Sequence, residues 1–479
     1  MENEYTVTIG LEVHAELSTK TKAYCSCKIG YGDEPNTNIC PVCMGLPGAL
    51  PHFNEEVLNY AMKAGVATNC DIITESKFDR KNYFYPDLSK GYQITQSDKP
   101  VASDGYLEIG SEDGSKKKIG IERIHMEEDT AKVTHDPFGR GTLLDYNRCG
   151  VPLIEIVSKP DIHSAKDAIA YLEKLRKLLI FLDVADCKME EGGFRADVNV
   201  SVSNTDKLGN RSEIKNMNSF KSIERAIEYE TKRQIENLKQ GKENSQNTLR
   251  WDDIEGETSI MRTKENANDY RYFPEADLPK FEVSEERYDN IAENIPELED
   301  AKKERYINDF GLSNKQIIFV LSDMEYIRLF EEANDIISKP KEIANVLMSD
   351  IAAYVNENII KPTDLKVTSE TIAKYVSLLE NGKLNSKTGK KVLKEMLENG
   401  GDPEIIMKEK GLIQITDEKQ IQEMVEKVIE NNPESVQDIL AGKDRAVKFL
   451  VGQVMKESRG KANPEIVNKE IIEQIGKMK

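Results

Sequence analysis

The sequence predicts an α+β fold: a first domain built on a largely antiparallel sheet, then an all-helical domain, then a helical tail. Three observations carry this. Short β-like runs broken by Gly, Pro, Asp and Asn turns fill the first 290 or so residues. From Ile295 onward the β-branched and aromatic alternation gives way to Glu/Lys-rich helical periods. A Gly400-Gly401-Asp402-Pro403 break then divides the helical part in two. Expected boundaries are 1–294, 295–405 and 406–479. At 479 residues the chain is too long for a single ordinary core, in keeping with several domains.

Element by element, Thr6 to Leu17 alternates strictly. Val7, Ile9, Leu11 and Val13 take one face, and Thr8, Gly10, Glu12 and His14 the other. Pro152–Val157 and Arg195–Ser203 read as strands, and Ser212–Asn216 as a further one. Between Ser164 and Leu182, Ala165, Ile169, Leu172, Leu175 and Leu179 recur at helical spacing, and a second helix is expected over Ser222–Lys239. Strands interrupted by helical signals in this way read as α+β with a largely antiparallel sheet.

Charge and composition narrow the function classes. No run of eighteen apolar residues exists, so no membrane partner is expected. Met1–Tyr5 lacks the basic and apolar regions of a signal peptide, which points to a cytoplasmic address. A net charge of −19 argues against a chain coated in nucleic acid, yet Lys443–Lys479 carries nine Lys/Arg against five Asp/Glu. That local excess is either a solvated helical face or one place where RNA is held.

The acids sit where strands seldom carry them. Glu12 lies within Ile9-Gly10-Leu11-Glu12-Val13-His14, Glu155 within Leu153-Ile154-Glu155-Ile156-Val157, and Glu213 within Ser212-Glu213-Ile214-Lys215. Arg195, Asp197, Asn199 and Ser201 share one face of their strand, and Glu127, Glu128 and Asp129 follow His125. Antiparallel sheets often wet one face, so any one of these acids reads equally as solvated surface. Taken together, as neighbours in one sheet, they would form a platform of oxygen ligands suited to Mg²⁺ with its phosphates. The stretch Asp79–Asp87 mixes aromatics with Arg80 and Lys81, as a surface hairpin or as a contact to phosphate, ribose or substrate.

Cys25-Ser26-Cys27 and Cys40-Pro41-Val42-Cys43 pair four thiols on two tight knuckles, the spacing of a structural Zn²⁺ site; four reduced thiols in a loop are the plainer reading. With four protein ligands such a site has no open position for chemistry. A phosphate loop is absent: Gly382–Lys391 has six residues between its glycines where four are needed, and Lys391 stands at the Ser/Thr position.

Ile9–His14, Phe78–Asp87, His125–Asp129, Pro152–Val157, Lys188–Gly192, Lys215–Phe220 and Asp269–Glu275 together closely resemble the B-subunit family of the aspartyl/glutamyl-tRNA amidotransferases. So does the tail from Phe449 to Gly452 and from Ser458 to Pro464, and the resemblance runs in order along essentially the whole chain. It implies a cradle-shaped catalytic domain similar to glutamine synthetase and guanidino kinases. It implies ATP-dependent phosphorylation of the side-chain carboxyl of Glu-tRNA(Gln) or Asp-tRNA(Asn). Amidation would follow, with ammonia delivered from a glutaminase A subunit, in a heterotrimer braced by a small C subunit. Carried over by motif, Glu12, His14, Glu128, Glu155 and Glu213 are the expected Mg²⁺/ATP site, with Glu127 as the neighbour of Glu128 and Arg80 and Lys81 toward the nucleotide. Whether His14 ligates metal or orients a Glu stays open. Two rivals remain: a zinc-stapled RNA-binding adaptor without an active site, and a stand-alone carboxylate–amine ligase.

Overall fold

The computed structural model describes residues 5–110, 115–136, 138–139, 141–263, 269–412, 418–440, 445–458 and 462–477. Arg459, Gly460 and Lys461 of the tail motif, and Lys443 of the basic end, lie outside them. The chain forms two compact units, 1–299 and 300–479.

The first unit is organised by a nine-stranded sheet. Its order is Glu257–Thr263, Asn247–Asp252, Ser212–Lys215, Phe194–Ser203, Thr6–Glu16, Pro152–Ser158, Lys116–Glu128, Ala102–Gly110 and Asp71–Ile72. Every neighbouring pair is antiparallel except Ser212–Lys215 beside Asn247–Asp252. The α+β prediction therefore holds. The first strand lies at the centre, paired with Phe194–Ser203 on one side and Pro152–Ser158 on the other.

Period-two alternation divides this sheet into two chemically different faces. Ile9, Leu11, Val13 and Ala15 are fully buried with Ile154, Ile156, Ile124, Met126, Val198 and Ile214. The helices Glu55–Ala67, Ala165–Phe181 and Phe220–Lys239 cover that face, capped at their N-termini by the side chains of Asn54, Ser164 and Ser219. Register puts Glu12 opposite Val157 and Asp197, His14 opposite Glu155 and Arg195, and His125 opposite Glu155. Asn199 in turn stands opposite Glu213, so the polar face gathers residues from five strands.

The long strand Lys116–Glu128 escaped the sequence reading. Its last five residues are all buried, so the alternation that marks a half-wetted strand is lost there. In the second unit, Ser386–Asn399 ends at Gly400 and Gly401, whose φ of 74° and 106° few side chains tolerate, and Asp402 caps the helix that begins at Pro403. Residues of the tail helices, among them Ile421, Val425, Leu450, Val454, Val467 and Ile471, form a buried cluster of their own. No helix among the described residues is long and apolar enough to cross a membrane.

Candidate functional site

Three groups of ligand atoms close enough to share a metal ion occur among the described residues, each group lying within 4.8 Å: Cys25, Cys27, Cys40 and Cys43; His14, Glu127 and Glu155; and Glu12, Asp197 and Glu213. The last two stand side by side on the polar face of the sheet. All their members except the buried Glu127 line a cavity of about 540 Å³, together with Lys81, Arg123, Arg211, Lys215, Tyr270 and Tyr272.

In the first carboxylate group, His14 Nε2 lies 3.3 Å from Glu127 and 3.2 Å from Glu155, and His125 Nε2 lies 3.3 Å from the same Glu155 oxygen. Burial opposes protonation of His14, but hydrogen bonds to Glu127 and Glu155 outweigh it and push the imidazole up to about 10. Burial works against the Glu155 carboxylate too, yet His125 and His14 hold it well below the usual range. Glu127 is likewise held down, against its burial, by His14. His125 Nδ1 is buried without a hydrogen-bond partner.

The second group has less cation to share. Burial raises the Glu12 carboxyl, and Glu155, Asp197 and Glu213 raise it further, against one hydrogen bond from Asn199 at 3.0 Å. Lys215 bridges Asp197 and Glu213, and Thr248 donates to Glu213 at 2.9 Å. Acids that together lift the Glu12 carboxyl favour a cation beside it, and carboxylate oxygens joined by one imidazole suit a hard divalent ion that keeps waters and phosphate oxygens in its shell. The residues present fit Mg²⁺.

The structure brings together four of the five residues expected here: Glu12, His14, Glu155 and Glu213. Glu128 is corrected. It points through the sheet to the other side, where it accepts from Lys90 Nζ and from the backbone N–H of Ile94 at 3.0 Å. Parity explains this: Glu127 and not Glu128 shares a face with His125. Of the two expected nucleotide contacts, Lys81 lines the cavity and lies over the Tyr270 ring, 5.1 Å from its centre. Arg80 faces elsewhere, bonded through two nitrogens to buried Glu275 at 2.6 and 2.7 Å and stacked on Tyr92. Asp197 and Asn199 were visible as face-sharing residues of their strand, although only the structure shows that they meet Glu12, Asp197 by register and Asn199 by its hydrogen bond. Arg123 and Arg211 carried no signal of their own, and Tyr270 and Tyr272 were marked only as part of the Asp269–Glu275 motif.

The four cysteines converge as their spacing predicts. Tetrahedral zinc with Zn–S bonds of about 2.3 Å needs sulfurs roughly 3.8 Å apart, which thiols clustered this closely reach with small side-chain shifts. A hydrogen bond from Cys25 pulls the Cys43 thiol down to about 4, and the same bond pushes Cys25 up. The donor set fits zinc.

A two-sided sheet with helices on one face and paired carboxylate clusters at a cavity on the other defines a class of α+β domain whose polar face is suited to a divalent cation. Comparison with known proteins gives the family. The model of the GatB/GatE catalytic domain matches residues 7–289, and that of the GatB domain matches residues 328–475. The B subunit of the aspartyl/glutamyl-tRNA(Asn/Gln) amidotransferase of Clostridium botulinum (strain Loch Maree / Type A3) is 50% identical over 477 residues, 99% of this chain and 100% of the relative. The protein of the same name from Clostridium tetani (strain Massachusetts / E88) is 49% identical over the same shares. The chain belongs to the GatB/GatE family.

Proposed function

We propose that this chain is the carboxyl-activating B subunit of a tRNA-dependent amidotransferase. It uses ATP to phosphorylate the side-chain carboxyl of Glu-tRNA(Gln), Asp-tRNA(Asn) or both. Ammonia, released from glutamine by an A subunit, then displaces phosphate to form Gln-tRNA(Gln) or Asn-tRNA(Asn), and a small C subunit completes the heterotrimer. The names of the relatives support the reaction and its tRNA substrates. The observation that carries the assignment to this site is the pair of carboxylate clusters, His14/Glu127/Glu155 and Glu12/Asp197/Glu213, facing one cavity.

The chemistry needs such a place. A substrate carboxylate must attack the γ-phosphorus of ATP, anion against anion, and ADP must leave before nitrogen can attack the activated carbonyl. Magnesium held by these carboxylates would neutralise phosphate charge at both stages. Lys81, Arg123, Arg211 and Lys215 set further positive charge around the cavity, where the triphosphate and the substrate carboxylate would lie. His14 and His125 fix the Glu155 carboxylate from two sides, so its oxygens are oriented before substrate arrives. In this reading the helical residues from 295 onward hold the tRNA, and Cys25, Cys27, Cys40 and Cys43 hold a structural zinc away from the reacting atoms.

ATP hydrolysis by the reconstituted complex, with and without misacylated Glu-tRNA, tests the assignment for wild type and Glu155→Gln. Hydrolysis that requires the charged tRNA and falls by about a thousandfold in the variant is expected. Hydrolysis that ignores the tRNA, or survives the substitution, would return the chain to the adaptor or small-molecule ligase readings.

A further inference from the structure

Lys22 stands three residues before Cys25, and its side chain has no solvent exposure. An ammonium has three N–H donors, and here each finds an acceptor. The Asn38 carbonyl lies 2.8 Å from Nζ, the Tyr146 carbonyl 3.4 Å, and the Cys43 sulfur 3.7 Å. None of the three is a carboxylate. Cys43 is the one acceptor of the set able to carry a full negative charge.

A buried cation placed this way is costly unless its surroundings are anionic. Four thiolates around one divalent ion leave a net charge of −2, which is equally costly in a partly buried loop. The two costs offset each other. Sulfurs that bind metal are stabilised by donors in the surrounding layer, and here Cys43 also accepts from the backbone N–H of Cys40 at 3.2 Å.

We propose that Lys22 is a positioning residue of the cysteine centre: its ammonium is the buried counter-charge that allows four thiolates to close on one divalent ion. This rests on reading Cys25, Cys27, Cys40 and Cys43 as zinc ligands. Its bonds to Asn38 and Tyr146 are not the sole tie between those two segments. Asn147 accepts from the Asn38 N–H at 2.7 Å and donates to the Glu34 carbonyl at 2.8 Å. Removing the lysine charge therefore leaves the loop anchored while altering what the sulfurs meet.

The test is zinc affinity of the full-length chain, measured by competition with a chromophoric chelator, for wild type, Lys22→Met and Lys22→Arg. Thermal unfolding of each, with and without zinc, accompanies it. One zinc per wild-type chain is expected, with affinity ten- to a hundredfold weaker in Lys22→Met and largely recovered in Lys22→Arg. Lys22→Met should also narrow the gap in melting temperature between the zinc-loaded and zinc-free chains. Wild-type affinity in Lys22→Met, or an equal loss of melting temperature with and without zinc, would overturn the proposal by making Lys22 a packing residue. Should Lys22→Met not fold, Lys22→Gln removes the charge while keeping an N–H donor and gives the same comparison. A wild-type chain that takes up no zinc overturns the metal reading itself, a failure distinct from that of Lys22.

Discussion

The cysteine loop and the carboxylate face of the sheet each gather groups able to hold a cation, and they are built in opposite ways. The cysteines span only residues 25–43, and two tight turns bring their sulfurs together. The clustered carboxylates come from Glu12 to Glu213 and need the pairing of strands far apart in sequence. Four thiolates fill a tetrahedral shell, whereas carboxylates bordering an open cavity leave room in the shell for water and phosphate. A closed local site serves as a staple; an open, long-range site is suited to chemistry. The difference is one of coordination left over after the protein has supplied its ligands.

The sharpest way to break this comparison lies within one dipeptide. Glu127→Gln removes a ligand from the open site and should lower tRNA-dependent ATP turnover by about a thousandfold with little change in unfolding. Glu128→Gln should do something different: it leaves the Lys90 ammonium buried without its charge partner, at a cost of about 3 kcal/mol read from the urea midpoint. Equal loss of turnover with no loss of stability in both variants would erase the distinction between the two sides of the sheet.

Next in size, Cys40→Ser should abolish tight zinc uptake and with it the stabilisation that bound metal adds. That is about 2.7 kcal/mol when free zinc stands a hundredfold above the dissociation constant, measured as the difference in unfolding with and without zinc. Turnover per folded complex should change far less than in Glu127→Gln. A turnover loss as deep as that of Glu127→Gln would put the cysteines among the reacting groups.

The smallest effect concerns an acid that needs no ligand. Glu331, in the helical unit, meets Lys302 at 2.8 Å, Tyr306 Oη at 2.9 Å, and Arg305. Burial would raise its carboxyl, but these partners hold it below the usual carboxylate value. A depressed folded-state pKa gives stability that is present above the unfolded value, near pH 4.3, and is lost as pH falls through the folded one. Glu331→Gln should therefore cost about 1 kcal/mol at pH 7, a modest figure because the carboxylate is partly solvated. Wild type and variant should converge in unfolding free energy below about pH 3. A difference that persists in acid would assign the effect to packing.

Much of the site was legible because strand alternation is a local property. Thr6–Leu17 alone shows that Glu12 and His14 share a face, and Arg195–Ser203 shows the same for Asp197 and Asn199. Glu127 against Glu128 was the harder choice. Both are buried, as are the residues just before them, so hydrophobicity offers no parity to read. Arg80 and Lys81 pose the same problem on a four-residue strand, and only the partner Glu275, almost two hundred residues away, explains why Arg80 turns from the cavity.

The amino-acid sequence by itself determined the fold class, the division between sheet and helices, the cysteine centre and the family resemblance. Each of these depends on periodicity, spacing or motif within short windows. Tertiary structure decided which acids face one another, that two carboxylate clusters stand side by side, and that Glu127 and not Glu128 belongs to them. The reason is physical: the side of a sheet to which a residue points follows from its own strand, but the residue it meets there follows from register between strands.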